Sequence, residues 1–139
     1  MSDKSLVVDA NILIRAVLGT RARRLIEGNA STINFLAPDA AYAEARRHLP
    51  GLLGKRGAMR DAELGVLDGL ESLVQPVEFA FYSPLQQPAL QRISRRDADD
   101  WPVLACAMLL SCPVWTEDKD FFGTGVPTWT TDRVELYFT

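Results

Sequence analysis

Short apolar runs alternate with helical patterns along this chain, and that alternation limits the folds open to it. Ser5–Val8 is a brief continuous apolar run that reads as a buried strand, followed by a helical pattern over 11–18. A second short helix is expected over 21–27, closed by Gly28, and a second strand over 32–36. Pro38-Asp39 opens a helix to about His48, which Pro50 should stop. Residues 51–57, with three glycines, read as a loop or a loose helical connection. Residues 58–73 carry Leu64, Leu67, Leu70 and Leu73 along one helical face, ended by Gln75-Pro76. Residues 77–82 suit a short strand or extended segment, 85–93 a helix, and 99–110 a helix apolar nearly all round. Strands follow at 114–116 and 126–130, while 131–139 fits either a helix or a strand. Strands alternating with helices imply an α/β domain with a mainly parallel sheet.

The acids fall at telling places in that pattern. Ligands of such sheets bind beyond the carboxyl ends of the strands. Asp9 lies just past the first strand, Asp118 and Asp120 just past the 114–116 strand, and Asp100 at the head of the apolar helix between. Each has a plain structural duty to weigh. Asp9 can cap the next helix, unless Asn11 is the cap. Glu44, flanked by Ala40, Ala41, Ala43 and Ala45, can pair with Arg47 or His48 on a solvated helix face. One of Asp97, Asp99 and Asp100 should cap the apolar helix, which leaves one or two acids without such a task. Asp118 and Asp120 can simply occupy a solvated turn around Lys119. The alternative user of converging carboxylates is a hard divalent cation, which takes oxygen ligands. Asn11 and Thr116 are placed to orient an acid or a bound water by hydrogen bonding.

At 139 residues, with 47% hydrophobic and 24% charged residues, the chain fits one domain spanning 1–139. A net charge of −3 neither announces nor excludes a nucleic-acid binder, because an acidic centre masks basic patches elsewhere. Those patches exist: Arg15, Arg21, Arg23 and Arg24; Arg46 and Arg47; Lys55, Arg56 and Arg60; Arg92, Arg95 and Arg96. Arginines around a carboxylate centre are what a nuclease needs to hold phosphates. Trp101, Trp115 and Trp129 offer stacking surfaces, with core packing the better account of the last two. The lone His48 argues against Ser-His or Cys-His nucleophilic catalysis, and no P-loop is present. Cys106 and Cys112 lack metal-finger spacing and argue against a disulfide. With no signal-peptide pattern and no apolar run able to span a bilayer, a cytoplasmic protein without membrane association is expected.

Taken together, Val8-Asp9-Ala10-Asn11, the helical Glu44, Asp100 seven residues before Ala107, and Thr116-Glu-Asp118-Lys-Asp120-Phe resemble the PIN-domain family along essentially the whole chain. That family includes ribonucleases such as the VapC-type toxins. The resemblance implies a single PIN-like α/β domain, a doubly wound mainly parallel sheet with helices on both faces. It implies a Mg²⁺- or Mn²⁺-dependent endoribonuclease with Asp9, Glu44, Asp100 and Asp118 as catalytic acids. Asp9, Asp100, Asp118 and Asp120 would be the metal ligands, with Asn11 and Thr116 supporting. RNA would be the substrate, and an antitoxin protein and a second copy of the chain the partners. The form Arg96-Asp-Ala-Asp-Asp-Trp-Pro102 resembles a subgroup distinct from the commonest toxins. Two rivals stand beside this reading: a phosphatase with an Asp9 nucleophile, disfavoured by Asn11 where a second acid is wanted, and a PIN-like module that binds RNA or protein without cutting.

Overall fold

A computed structural model describes residues 4–53 and 57–139. Its centre is β1 (Lys4–Val8), and the sheet grows outward from it in both directions. The other strands are β2 (Ile33–Pro38), β3 (Val74–Val77), β4 (Val114–Trp115) and β5 (Thr128–Trp129). Among the described residues they form a five-stranded sheet in the order β3-β2-β1-β4-β5, with every pairing parallel. The helices are α1 (Ala10–Leu18), α2 (Arg21–Asn29), α3 (Asp39–Leu53), α4 (Gly57–Leu70), α5 (Phe79–Tyr82), α6 (Gln86–Ile93), α7 (Trp101–Leu110) and α8 (Glu135–Phe138).

The twofold alternation of β1 sorts its side chains between two cores. Leu6 and Val8 enter a core built with Ile12, Leu13, Ala16 and Val17 of α1, Ile26 of α2, Tyr42 and Leu49 of α3, and Leu67 and Leu70 of α4. Val7 faces the other way, with Val114, into a core of Tyr82, Ala89, Ile93, Phe121 and the buried stretch Val103–Ala107 of α7. β4 repeats the division, with Val114 in the second core and Trp115 in the first. The result is the doubly wound, helix–sheet–helix arrangement expected. α7 is apolar on every side because it is wedged against the sheet, α6 and the turn at 83–85.

Several elements differ from the sequence expectation for physical reasons. The strand expected after residue 77 lies earlier, at Val74–Val77, and contains Pro76. A proline is tolerated there because β3 is the edge of the sheet and needs ladder bonds on one side only. Residues 79–82 form the helical turn α5 instead of a strand. α2 runs through Gly28 to Asn29, the last strand is confined to Thr128–Trp129, and part of the ambiguous C-terminal stretch is helical as α8. The apolar helix starts at Trp101, preceded by a separate 3₁₀ turn, Ala98–Asp100. Part of the expected 51–57 loop lies outside the described residues. The rest is helical, because α3 does not stop at Pro50 but continues to Leu53. Leu49, fully buried, anchors the turn before the proline.

Pro50 still lacks the N–H that would bond the Arg46 carbonyl, and its ring crowds that turn. Pro50→Ala is therefore expected to raise stability by about 1–3 kcal/mol, read as a higher urea midpoint at unchanged slope. An unchanged midpoint would show that α3 gains nothing from a continuous hydrogen-bond ladder.

Candidate metal centre

The strand order reverses direction at β1: the chain builds outward to β2 and β3, then returns to place β4 on the other side. A crevice opens at such a switch, beyond the carboxyl ends of the two strands. Asp9 leaves β1 there, and Thr116 leaves β4 beside it. The Asp9 N–H continues the ladder by donating to the Trp115 carbonyl at 3.1 Å.

The side chains at this junction bond to one another. Asp9 is the N-cap of α1, its Oδ1 accepting from the Ala10 N–H at 2.7 Å. Its Oδ2 accepts from the Thr116 hydroxyl at 2.7 Å and from Asn11 Nδ2 at 3.1 Å. The Thr116 hydroxyl accepts in turn from Asn11 Nδ2 at 3.0 Å and from the Asp118 N–H at 2.9 Å. Asn11 Oδ1 accepts from the Glu117 N–H at 3.2 Å. One donor and two acceptor sites of the threonine are thus filled, as are both amide protons of the asparagine. Asp9 thus performs the capping duty weighed from the sequence, and it also lines the crevice.

The acids beyond this junction are less well matched. One carboxylate oxygen from each of Asp97, Asp100, Asp118 and Asp120 can be chosen so that all lie within 4.8 Å of one another. Asp118 caps the 3₁₀ turn Lys119–Phe121, its Oδ1 accepting from the Asp120 N–H at 2.9 Å, which draws both acids together. Asp97 likewise accepts from the Asp99 N–H at 3.0 Å. Residues three apart eclipse on a 3₁₀ turn, so Ala98–Asp100 stacks Asp97 and Asp100 on one side and sends Asp99 elsewhere. Asp100 Oδ2 is buried and has no hydrogen-bond partner. A buried carboxylate oxygen without a donor is costly unless it is protonated or meets a cation. Four oxygens of this type are a hard-cation donor set, so these residues could hold Mg²⁺ or Mn²⁺.

Three of the acids assigned to a metal by resemblance, Asp100, Asp118 and Asp120, fall in this cluster. Asp9 sits beside it, close enough to act on Asp100 electrostatically. Asp97 joins the cluster beside Asp100. Glu44 lies on another wall: with Arg47, Asp9, Asp99, Asp100 and the small residues Ala40 and Ala43 it lines an open pocket of about 400 Å³. Glu117, within the Thr-Glu-Asp-Lys-Asp motif, turns away and accepts from the Thr131 N–H at 2.8 Å. The arginine rim is thinner than the sequence suggests. Arg46 pairs with Asp68 and Glu71 at 2.8 and 2.7 Å, tying α3 to the end of α4. Arg92 donates to the Thr124 carbonyl at 3.4 Å, and the Arg96 guanidinium lies where a side chain at Gly123 would stand. Lys55 and Arg56 lie outside the described residues. Arg47 is the arginine that lines the pocket.

Burial, followed by the Glu44 and Asp118 charges, raises the Asp9 pKa to about 6, although the Thr116 and Ala10 hydrogen bonds oppose the rise. Burial raises Asp100 to about 8, helped by the Asp9 charge, by the hydrogen bond that its protonated carboxyl can make to Asp118, and by the Asp97 and Asp118 charges. Both acids hold their protons more tightly folded than unfolded. Their stabilising contribution in the metal-free protein is therefore complete below about pH 4, and it is lost as pH rises through about 6 and then about 8. The expected result is a urea midpoint that falls between pH 5 and 8.5 in EDTA, with a smaller fall in Asp100→Asn. A midpoint that rises over that range in the wild type would contradict the assignment.

Among the described residues, no helix is long and apolar enough to cross a membrane, and both cysteines are free and buried. No curated protein sequence matches the chain. Solved structures resemble its fold. VapBC2 from Rickettsia felis, bound to a DNA fragment from its promoter, aligns with TM-score 0.71 and 13% identity over 91% of this chain and 98% of that one. PAE2754 from Pyrobaculum aerophilum aligns with TM-score 0.71 and 14% identity over 97% and 89%. A toxin–antitoxin complex from Klebsiella pneumoniae gives 0.61 and 19% over 91% and 97%. The PIN domain family matches residues 7–139, nearly the whole chain, and the protein belongs to that family.

Proposed function

We propose that this PIN-domain protein is a Mg²⁺- or Mn²⁺-dependent endoribonuclease and the toxin of a toxin–antitoxin pair. The observation that carries the reading is the unpartnered, buried Asp100 Oδ2 beside the Asp97, Asp118 and Asp120 carboxylates. Asp100, Asp118 and Asp120 are the proposed metal ligands, with Asp97 added and Asp9 completing the set. The metal, when bound, supplies Lewis acidity that activates water and offsets charge building on a phosphate.

The protein's own groups do the rest. Thr116 and Asn11 hold the Asp9 carboxylate in one orientation, so it need not reorganise during reaction. Glu44, half-buried on the opposite pocket wall, is placed to orient a water as a proton acceptor. Arg47, one helical turn on, offers its guanidinium to the phosphate. The exposed Ala40 and Ala43 leave room for the strand to approach. No covalent step is required. The phosphatase rival wants a free Asp9 nucleophile, whereas Asp9 here accepts three hydrogen bonds. The toxin role rests on the fold shared with the Klebsiella pneumoniae toxin–antitoxin complex and with VapBC2. An antitoxin would cover the acidic crevice and keep RNA out.

The test is cleavage of a mixed RNA pool with Mg²⁺, Mn²⁺ or EDTA. Cleavage should require metal and fall by about 100-fold or more in Asp9→Asn, Asp100→Asn and Asp118→Asn. Wild-type rates in any of these three variants would refute the ligand assignment. No cleavage with either metal would favour a binding module. Thr116→Val, which removes only the hydroxyl, should weaken Mn²⁺ binding by about 10–100-fold in calorimetry.

A further inference from the structure

Asp100 is followed at once by Trp101, whose indole packs on the second core beside Tyr82 and meets one exposed ring, Phe79. Trp101 is half-buried and packs against Tyr82 at 5.7 Å and Phe79 at 6.1 Å between ring centres. Tyr82 is buried, but Phe79 is 51% exposed. Its two ring contacts, to Trp101 and Tyr82, are tilted 76° and 79°, so neither neighbour lies parallel to its ring. Phe79 opens α5 just past the end of β3, on the same edge of the sheet as Asp9 and Asp118.

The surface is held in place as well as exposed. Asp39, the first residue of α3, accepts from the Phe79 N–H through Oδ2 at 3.0 Å and from the Tyr82 hydroxyl through Oδ1 at 2.6 Å. Oδ1 also accepts from the Ala40 N–H at 2.8 Å. One carboxylate thus ties the aromatic turn to the helix that carries Glu44 and Arg47. A fixed aromatic ring that keeps half its surface in water has ordering entropy already removed, which favours a flat partner.

We propose that Phe79, backed by Trp101, is a stacking platform for an unpaired nucleobase of the strand whose phosphate lies at the acidic centre. The inference rests on the nuclease reading and assigns one residue to hold a base of its substrate. The continuity of the two features favours a base as the occupant. Phe79 packs against Trp101, the residue that follows Asp100, and phosphate and base alternate along a nucleotide chain. A paired base could not present its face, so duplexes are excluded at this position. Stacking is tolerant of base identity, and it contributes about 1–3 kcal/mol per base, equivalent to about 5–150-fold in affinity.

The experiment is fluorescence anisotropy of a labelled single-stranded RNA octamer in Ca²⁺, with wild type, Phe79→Ala, Phe79→Leu and Phe79→Trp. Leucine keeps the apolar packing against Tyr82 and Trp101 and removes only the aromatic face. Affinity is expected to fall at least about 5-fold in the alanine and leucine variants and to persist in the tryptophan variant. An octamer of abasic riboses should bind wild type at least as weakly as the intact octamer binds Phe79→Leu, and the substitution should cost it nothing more. A DNA octamer showing the same dependence on Phe79 supports recognition of the base and not the sugar. Equal affinity of wild type and both Phe79→Ala and Phe79→Leu for intact RNA would overturn the platform and leave this face to a protein partner. The same proteins assayed in Mg²⁺ and Mn²⁺ separate the two claims. Binding that depends on Phe79 without cleavage retires the nuclease and keeps the platform. Cleavage with binding indifferent to Phe79 does the reverse.

Discussion

The Thr116 hydroxyl is the joint on which this molecule turns. It bonds an acid from β1, an amide from α1 and the backbone that leads to Asp118, joining positions 107 residues apart. The bond forms only because the chain crosses the sheet and lays β4 parallel against β1. In return, it fixes where each strand ends and how the following turn departs. Fully satisfied buried polar networks are rigid, and partly satisfied ones are expensive. Here every donor is used, and Asp9, which lines the crevice, accepts three bonds. The fold thus delivers an oriented carboxylate at the switch point without relying on a loop to hold it.

Around that joint, stability and use pull apart. Burial together with neighbouring carboxylates makes Asp9 and Asp100 hard to ionise, and Asp100 Oδ2 has no donor to answer it. The helix starts soften this cost: α1 begins at Asp9 and α7 at Asp100, so the positive ends of two helix dipoles point at the acids. Dipoles of that strength contribute about 0.3–1 kcal/mol each, which is small against a cluster of converging carboxylates. A divalent cation is the group that would reverse the balance, because it favours the charged form of every acid it touches. The site is thus arranged to be uncomfortable when empty of charge compensation, a common property of functional centres.

Much of this was visible in the sequence, because the signals are local. Leu6-Val7-Val8 before Asp9, and Val114-Trp115-Thr116 before Asp118, mark strands that end in acids, and the parallel-sheet rule then places those acids together. What escaped was set by non-local geometry. Nothing in Arg96–Asp100 announces a 3₁₀ turn, so which of Asp97, Asp99 and Asp100 serves as a cap depends on a conformation that periodicity does not encode. Glu117 sits between motif residues, yet its direction is decided by the Thr131 N–H from the segment beyond β5. Arg46 looks like part of a basic rim until α4 brings Asp68 and Glu71 to it. Pro76 reads as a helix stop because edge position cannot be known before the strand order is. Phe79 and Trp101 lie 22 positions apart, and only the packing of α5 on α7 makes them one surface.

The Asp97, Asp100, Asp118 and Asp120 carboxylates converge, and the proposed function has them bind a divalent cation. The most direct measurement is anomalous diffraction at the manganese edge from a crystal soaked in Mn²⁺. A peak is expected among these four acids, within bonding distance of Asp100 Oδ2. A well-ordered map with no peak there, or with manganese bound only elsewhere, would contradict it.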